Sequence, residues 1–273
     1  MTGQLAELLR GRRWVALTGA GISTDSGIPD YRGAGARPTN PIQYADFLGA
    51  ESVRRRYWAR SLLGFRSFGV ARPNPGHDAL VALRESGLRT VITQNVDGLH
   101  QAAGSPSVID LHGRIDRVIC LSCGAVSART ELQRRLEAAN PGVEGKVAAG
   151  RAELDDPRLR PDGDAVVEQW GDFVVLPCDR CGGVLKPDVV FFGESVPPER
   201  VAVSYRVVDE AEVLLVAGSS LTVMSGLRFV RHAAKAGKPV AIINRGPTRG
   251  DELATVRIDG GTSETLVELA ANL

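Results

Sequence analysis

Four cysteines stand in two identical frames, Cys120-Leu121-Ser122-Cys123 and Cys178-Asp179-Arg180-Cys181, each followed by glycine. A two-residue spacer lets both sulfurs of a frame turn onto one ion, and two frames supply the four ligands of a tetrahedral zinc site. Four thiolates leave no ligand position open, so the expected role is structural, with one Zn2+ per chain. Zinc binding of this kind is worth on the order of 10 kcal/mol in small peptides, enough to hold together a module without its own core. The span between the frames is longer than a simple ribbon needs, so two separate redox or buried thiol pairs remain an alternative. A zinc ribbon taken alone also admits a nucleic-acid or protein-binding module. The formal net charge of +1 argues against nucleic acid.

The remaining sequence follows a different pattern. Short apolar runs at Trp14–Leu17, Thr90–Thr93, Val213–Ala217 and Pro239–Ile243 end in turns rich in Gly, Asn or Ser. Helix-like segments such as Gly76–Ser86 and Leu227–Ala236 separate them. Buried strands alternating with helices predict an α/β fold, a Rossmann-type parallel sheet with helices on both faces. A chain of 273 residues can hold one such domain and a small insert. Two stretches break the pattern. One carries Pro, Gly and aromatic residues with a helix expected over Ala50–Leu63, and the other carries all four cysteines and a polar, loop-like segment at Asn140–Glu168. The reading is a nucleotide-binding domain made of residues 1–34, 71–116 and 190–273, and a smaller zinc-binding and helical domain made of 35–70 and 117–189.

Met1–Arg13 reads as a short amphipathic helix bearing Leu5, Leu8 and Leu9, with neither a secretory nor a transit pattern. No apolar run approaches the roughly 18 residues that span a bilayer. No membrane partner is expected, and the expected compartment is the cytoplasm, where thiols stay reduced.

In open α/β sheets ligands bind at the carboxyl ends of the strands. Gly19–Gly21, Gln94–Asp97, Gly218–Ser220 and Asn244 all follow expected strands. Gly19 and Gly21 would let the backbone approach a pyrophosphate at a helix N-terminus. The loop is not G-x-G-x-x-G, because Thr24 stands where the third glycine would be, and a lone G-x-G is weak evidence. The longer string Gly19-Ala20-Gly21-Ile22-Ser23-Thr24-Asp25-Ser26-Gly27-Ile28-Pro29-Asp30-Tyr31-Arg32-Gly33 is far more specific. It resembles the cofactor loop of the sirtuins, the NAD-dependent protein deacylases. Thr93-Gln94-Asn95-Val96-Asp97-Gly98-Leu99-His100, Leu111-His112-Gly113 and Gly218-Ser219-Ser220-Leu221 extend the resemblance, and the cysteine frames fall where that family carries its zinc module. Arg56-Tyr57-Trp58-Ala59-Arg60, Pro73-Asn74-Pro75-Gly76-His77, Leu185–Glu194 and Gly246-Pro247-Thr248-Arg249 resemble the class II subgroup, in a prokaryotic cytoplasmic relative.

The resemblance implies roles for individual residues. His112 matches the general base that deprotonates a ribose hydroxyl, a task suited to a side chain that titrates near neutrality. Asn95 and Asp97 match the catalytic Asn and the nicotinamide-pocket Asp. The cofactor set comprises Gly19, Ala20, Gly21, Thr24, Asp30, Tyr31, Arg32, Gln94, Asn95, Asp97, Gly218, Ser219, Ser220, Asn244, Arg245 and Thr262. Many relatives have Cys near the position of Thr262. Val190, Phe191, Phe192, Gly193 and Glu194 match the segment that pairs with an extended substrate peptide by adding a strand. Tyr57 and Arg60 resemble the pair with which class III members hold acidic acyl groups. Their i,i+3 spacing puts both on one helix face, and a guanidinium can grip a carboxylate with two bonds.

The implied function is an NAD-dependent protein-lysine deacylase, an acyl transferase acting on acylated lysine side chains. NAD is its co-substrate, and nicotinamide and O-acyl-ADP-ribose are its products. Protein mono-ADP-ribosyl transfer at the same site is the first rival. A zinc-dependent interaction module on a vestigial NAD fold is the second.

Overall fold

The computed structural model describes residues 2–30, 41–68, 71–142 and 171–273. Tyr31, Arg32 and most of the polar segment Asn140–Glu168 lie outside them. Nine strands are described, β1 Trp14–Thr18, β2 Leu88–Thr93, β3 Val108–Asp110, β4 Gly113–Cys120, β5 Val126–Ala128, β6 Leu185–Val189, β7 Val213–Ala217, β8 Val240–Ile243 and β9 Val256–Ile258. Six of them form a parallel sheet in the order β3-β2-β1-β7-β8-β9. Thr18 pairs with both Thr93 and Ala217, and Ala217 pairs with Ile243, so the central strands end level with one another.

Every residue of β1 and β7 is buried, which a parallel sheet covered on both faces demands. The period of two divides β1 between the faces. Trp14 and Ala16 join Leu5, Leu9, Leu80, Leu215 and Leu266 on one side, under the helices Thr2–Leu9, Pro75–Ala82 and Thr262–Asn272. Val15 and Leu17 join Val208, Leu214, Val216 and Phe229 on the other, under the helices Pro198–Glu210 and Met224–Lys235.

The second sheet is antiparallel, in the order β5-β4-β6. With the helices Tyr44–Gly49, Glu51–Phe68 and Arg129–Ala139 it encloses a core of Phe47, Tyr57, Trp58, Val118, Leu132, Leu136, Phe173 and Leu185, to which Cys120 and Cys178 also belong. Arg129 is fully buried there. Its guanidinium lies 4.5 Å from the Phe65 ring centroid and donates to the Ser61 carbonyl at 3.2 Å, a cation–π contact inside the core.

Several expected boundaries move. The helix expected over Ala50–Leu63 is Glu51–Phe68, and the one expected over Gly76–Ser86 ends at Ala82 and gives way to turns. Pro75 starts that helix at a position that has no use for an N–H, and Asn74 caps it in a capping box with His77. The helix expected over Leu227–Ala236 begins a turn earlier, at Met224. β3 and β9 have three residues each, too few for a periodic signal. No described helix is long and apolar enough to cross a membrane.

From β1 the chain moves one way, through β2 to β3, and later the other way, from β7 through β8 to β9. The strand order therefore reverses between β1 and β7, where open α/β sheets open a ligand crevice. Gly19, Gly21 and Gly218 meet there. A Cβ on Gly21 would lie 2.9 Å from Gly218 Cα, and one on Gly218 would lie 2.5 Å from Ile22 N, at a backbone φ of +69°. We expect Gly218→Ala to lose about 2 kcal/mol or more, from left-handed strain plus overpacking. That is on the order of a 5 °C fall in Tm for a chain of this size. Gly3→Ala, in a helix with open space at the added methyl, is expected to be neutral or stabilising. Equal Tm shifts in a thermal melt would refute the close approach.

Candidate functional site

A cavity of about 1570 Å³ opens where β1, β2, β7 and β8 end. It exceeds the few hundred to 1,000 Å³ of a drug-sized site, leaving room for a dinucleotide and an inserted side chain. Gly19, Ala20, Gly21, Thr24 and Asp30 line it from the loop after β1. Gln94, Asn95 and Asp97 line it from the loop after β2, and His112 from the turn before β4. Gly218, Ser219 and Ser220 follow β7, Asn244 and Arg245 follow β8, and Thr262 opens the helix Thr262–Asn272. Tyr57 and the whole of Val190–Glu194 also line it. Arg60 does not, although it shares the helix of Tyr57 and is partly buried.

Hydrogen bonds tie these loops together. Gln94 N donates to the Thr18 carbonyl at 2.9 Å, carrying the pairing of β1 and β2 one residue past the strands. The Asn95 amide group donates to the Gly19 carbonyl at 3.2 Å and to Ser23 Oγ at 3.0 Å. Ser23 Oγ in turn donates to Asp97 Oδ2 at 2.7 Å, while Asp97 Oδ1 accepts from Leu99 N at 2.9 Å. Ser219 Oγ donates to Gln94 Oε1 at 2.6 Å and accepts from Leu221 N at 3.2 Å, so that hydroxyl is engaged within the protein. Asn244 Nδ2 donates to the carbonyls of Arg245 and Gly246 at 2.8 and 3.1 Å.

His112 is held from both ends of its ring. Nδ1 lies 2.7 Å from the Gln94 carbonyl oxygen and Nε2 lies 2.8 Å from Ser225 Oγ. A carbonyl oxygen only accepts, so Nδ1 carries the proton and the neutral ring has its lone pair at Nε2. Burial pulls the His112 pKa below its ordinary value. The bond to Gln94 opposes that, and the cations Arg200 and Arg228 add to it. His77 and His100 are buried together, their ring centroids 4.9 Å apart. His100 Nε2 meets Thr18 Oγ1 at 2.8 Å, and burial holds the His100 pKa down at about 3.

Past β6, Phe192 makes a single parallel bridge with Gln43 and the chain turns at Gly193. Val190 N donates to the His112 carbonyl at 2.8 Å. Phe191 N donates to Glu194 Oε2 at 2.8 Å, and Lys186 Nζ reaches that same oxygen at 3.1 Å from its buried position. Burial lowers the Lys186 pKa, and the Glu194 carboxylate opposes the shift. The Phe191 ring packs against Phe47 and Tyr57, both at 5.2 Å between centroids. Phe192 and Met224 stay exposed at the rim, an apolar edge on each side of the opening.

The four cysteine sulfurs lie within 4.8 Å of one another. Cys120 Sγ to Cys181 Sγ is 3.5 Å and Cys123 Sγ to Cys178 Sγ is 3.9 Å. Tetrahedral zinc with 2.3 Å bonds to sulfur requires about 3.8 Å between sulfurs. Both knuckles close in the same way, with Gly124 N donating to the Cys120 carbonyl at 2.9 Å and Gly182 N to the Cys178 carbonyl at 2.8 Å. Backbone N–H groups of Ser122 and Cys123 point at Cys120 Sγ, and that of Gly183 at Cys181 Sγ, which suits thiolate charge. The residues fit one structural zinc ion.

Ser23, Ser225 and Arg228 are among the cavity residues that escaped the sequence analysis as site residues. Ser23 sat inside the quoted glycine string, but nothing there revealed its bond to Asp97. Ser225 lay before the expected start of its helix at Leu227, and Arg228 lay within that expected helix with nothing to mark it.

The Sir2 family model matches residues 19–225. NAD-dependent protein deacetylase 1 of Mycobacterium avium is 56% identical over 272 residues, 99% of this chain and 95% of that protein. The protein of the same name in Streptomyces coelicolor is 60% identical over 259 residues, 93% of this chain and 84% of that one. Among solved structures, Sir2 with a p53 peptide and NAD+ is 30% identical with a TM-score of 0.77, covering 99% of this chain and 96% of that one. Sir2Tm bound to a propionylated peptide is 28% identical with a TM-score of 0.78, covering 99% and 97%.

Metal analysis is expected to find close to one zinc per chain. Chelation, or Cys123→Ser at an exposed ligand, should lower Tm by on the order of 10 °C. A metal-free chain with an unchanged melt would discard the zinc centre.

Proposed function

This chain belongs to the Sir2 family, and from that premise we propose that it removes acyl groups from protein lysines at the expense of NAD. The products are the free lysine, nicotinamide and O-acyl-ADP-ribose. The observation that carries the reading is the single cavity shared by the glycine loops, His112 and the Val190–Glu194 segment. The names of the relatives favour deacylation over ADP-ribosyl transfer.

NAD supplies the glycosidic bond that is cleaved. Gly19, Ala20, Gly21 and Thr24 cradle its pyrophosphate beside Gly218, Ser219 and Ser220. Asn244, Arg245 and Thr262 hold its adenosine end. Gln94, Asn95 and Asp97 receive the nicotinamide riboside end beside Asp30, and the resemblance extends that role to Tyr31 and Arg32. The acylated lysine enters between Val190–Glu194 and Met224, the peptide adding to the protein as a strand. His112 Nε2 takes the ribose hydroxyl proton, because Gln94 fixes the proton on Nδ1 and burial keeps the ring neutral. Residues 1–34, 71–116 and 190–273 act as the NAD-binding part. Residues 35–70 and 117–189 act as the zinc-bearing part, which contributes Tyr57 to the acyl end of the cavity. Reduced zinc thiolates suit the cytoplasm. The further likeness to the class II subgroup predicts a preference for bulky acyl chains.

His112→Ala is expected to reduce turnover at least about 100-fold with an unchanged thermal melt. Retained deacylation would sink the base assignment. With labelled NAD, label should leave as O-acyl-ADP-ribose, and label retained on protein would favour the transferase reading. For wild type, kcat/KM should hold from neutral pH to below about 6.5 before falling, because the folded His112 resists protonation. Arg60→Met is expected to leave the ratio of glutaryl-lysine to acetyl-lysine turnover unchanged, since Arg60 does not line the cavity. A tenfold selective loss on glutaryl-lysine would place Arg60 at the acyl end.

A further inference from the structure

Ser225 is the second residue of the helix Met224–Lys235 and is 7% exposed. It does not cap that helix. The N-cap is Val223, with no side-chain bond, and the Ser225 hydroxyl instead faces His112, 113 residues away in sequence. With Nδ1–H donated to the Gln94 carbonyl, His112 Nε2 can only accept, so Ser225 Oγ–H is the donor at 2.8 Å. That hydroxyl occupies the lone pair on which a general base depends.

We propose that Ser225 is a positioning residue for His112. Its hydroxyl caps the Nε2 lone pair, holds the imidazole in the Nδ1–H tautomer together with Gln94, and gives way when the ribose hydroxyl binds. This rests on His112 being the base.

The first turn of the helix has little freedom to do otherwise. A Cβ on Gly226 would lie 2.8 Å from the Gln94 side-chain carbon, so the helix is pressed against the residue that fixes the other ring nitrogen. The charged groups acting on the ring are Arg200, from the helix Pro198–Glu210, and Arg228, one turn beyond Ser225. Arg200 is shared with Asp188 at 3.3 Å. Both cations disfavour the imidazolium, as does burial, and both persist when only the Ser225 hydroxyl is removed. A donor to Nε2 is satisfied only while the ring is neutral. Its removal must therefore make His112 easier to protonate.

The test is nitrogen-15 NMR of the histidine rings, with the His112 signal assigned by its absence in His112→Ala. Wild type should show Nδ1 protonated and Nε2 bare at neutral pH. In Ser225→Ala the His112 pKa should rise by about half to one pH unit, the worth of one neutral hydrogen bond, and Ser225→Thr should bring it back down. A wild-type ring protonated at Nε2, or a pKa in Ser225→Ala that does not move, overturns the proposal. The acid limb of kcat/KM should follow the NMR shift to higher pH. A shifted pKa with an unmoved limb would leave the Ser225 bond standing and remove His112 from the role of base, so the two failures are distinguishable.

Discussion

Gly21 and Gly218 meet backbone to backbone at the point where the strand order reverses, and a side chain on either would collide with main-chain atoms of the other's loop. Gly21 N donates to the Gly218 carbonyl at 2.9 Å, and Gly19 N donates to the Ala217 carbonyl at 3.1 Å. The loops after β1 and β7 are thereby joined across the crevice. Gln94 and Asn95 then hang from this junction through Thr18, Gly19, Ser23 and Ser219. His112 in turn takes its tautomer from the Gln94 carbonyl. A wider gap between β1 and β7 would move each of these groups in sequence. The site is therefore a consequence of close backbone packing more than of any single polar contact.

Polar side chains in the crevice are bonded to one another rather than left open, as buried polar groups must be. The Ser23–Asp97–Asn95 cluster and the Ser219–Gln94 bond hold amides and hydroxyls in fixed orientations before any ligand arrives. Fixed dipoles of this kind need no reorganisation when charge develops, which is where much of enzymatic rate enhancement originates. At Val190–Glu194, the pair of buried Lys186 with Glu194 holds the segment through the Phe191 amide. Breaking such a pair from one side leaves a buried charge uncompensated.

Ile115 of β4 and Val189 of β6 pack with Ile28 and Leu99 in one apolar cluster. β5 is exposed at all three of its residues and pairs only with β4. β6 is buried throughout and shares an apolar core with the neighbouring helices, and a zinc ion held by the four thiolates would add to that core's stability. Two of those cysteines, Cys120 and Cys178, also sit in the apolar core with Val118 and Leu132. The metal thus fastens the same core that positions Tyr57 and Phe47 against Phe191.

The sequence by itself determined the zinc ligands, the parallel sheet and the glycine loops. These are local chemistry. A C-x-x-C frame, an apolar run and a Gly-x-Gly turn each carry their physical meaning within a few residues. It also named, through resemblance, about half of the residues that line the cavity. Tertiary structure decided what no local pattern encodes. It brought Ser225 to His112 and Ser23 to Asp97. Each of these depends on where two distant segments meet. Hydrogen-bond partners at a range of 72 to 125 residues, such as Asn95 with Ser23 and Ser219 with Gln94, are chosen by the packing of the sheet and not by the sequence around either residue.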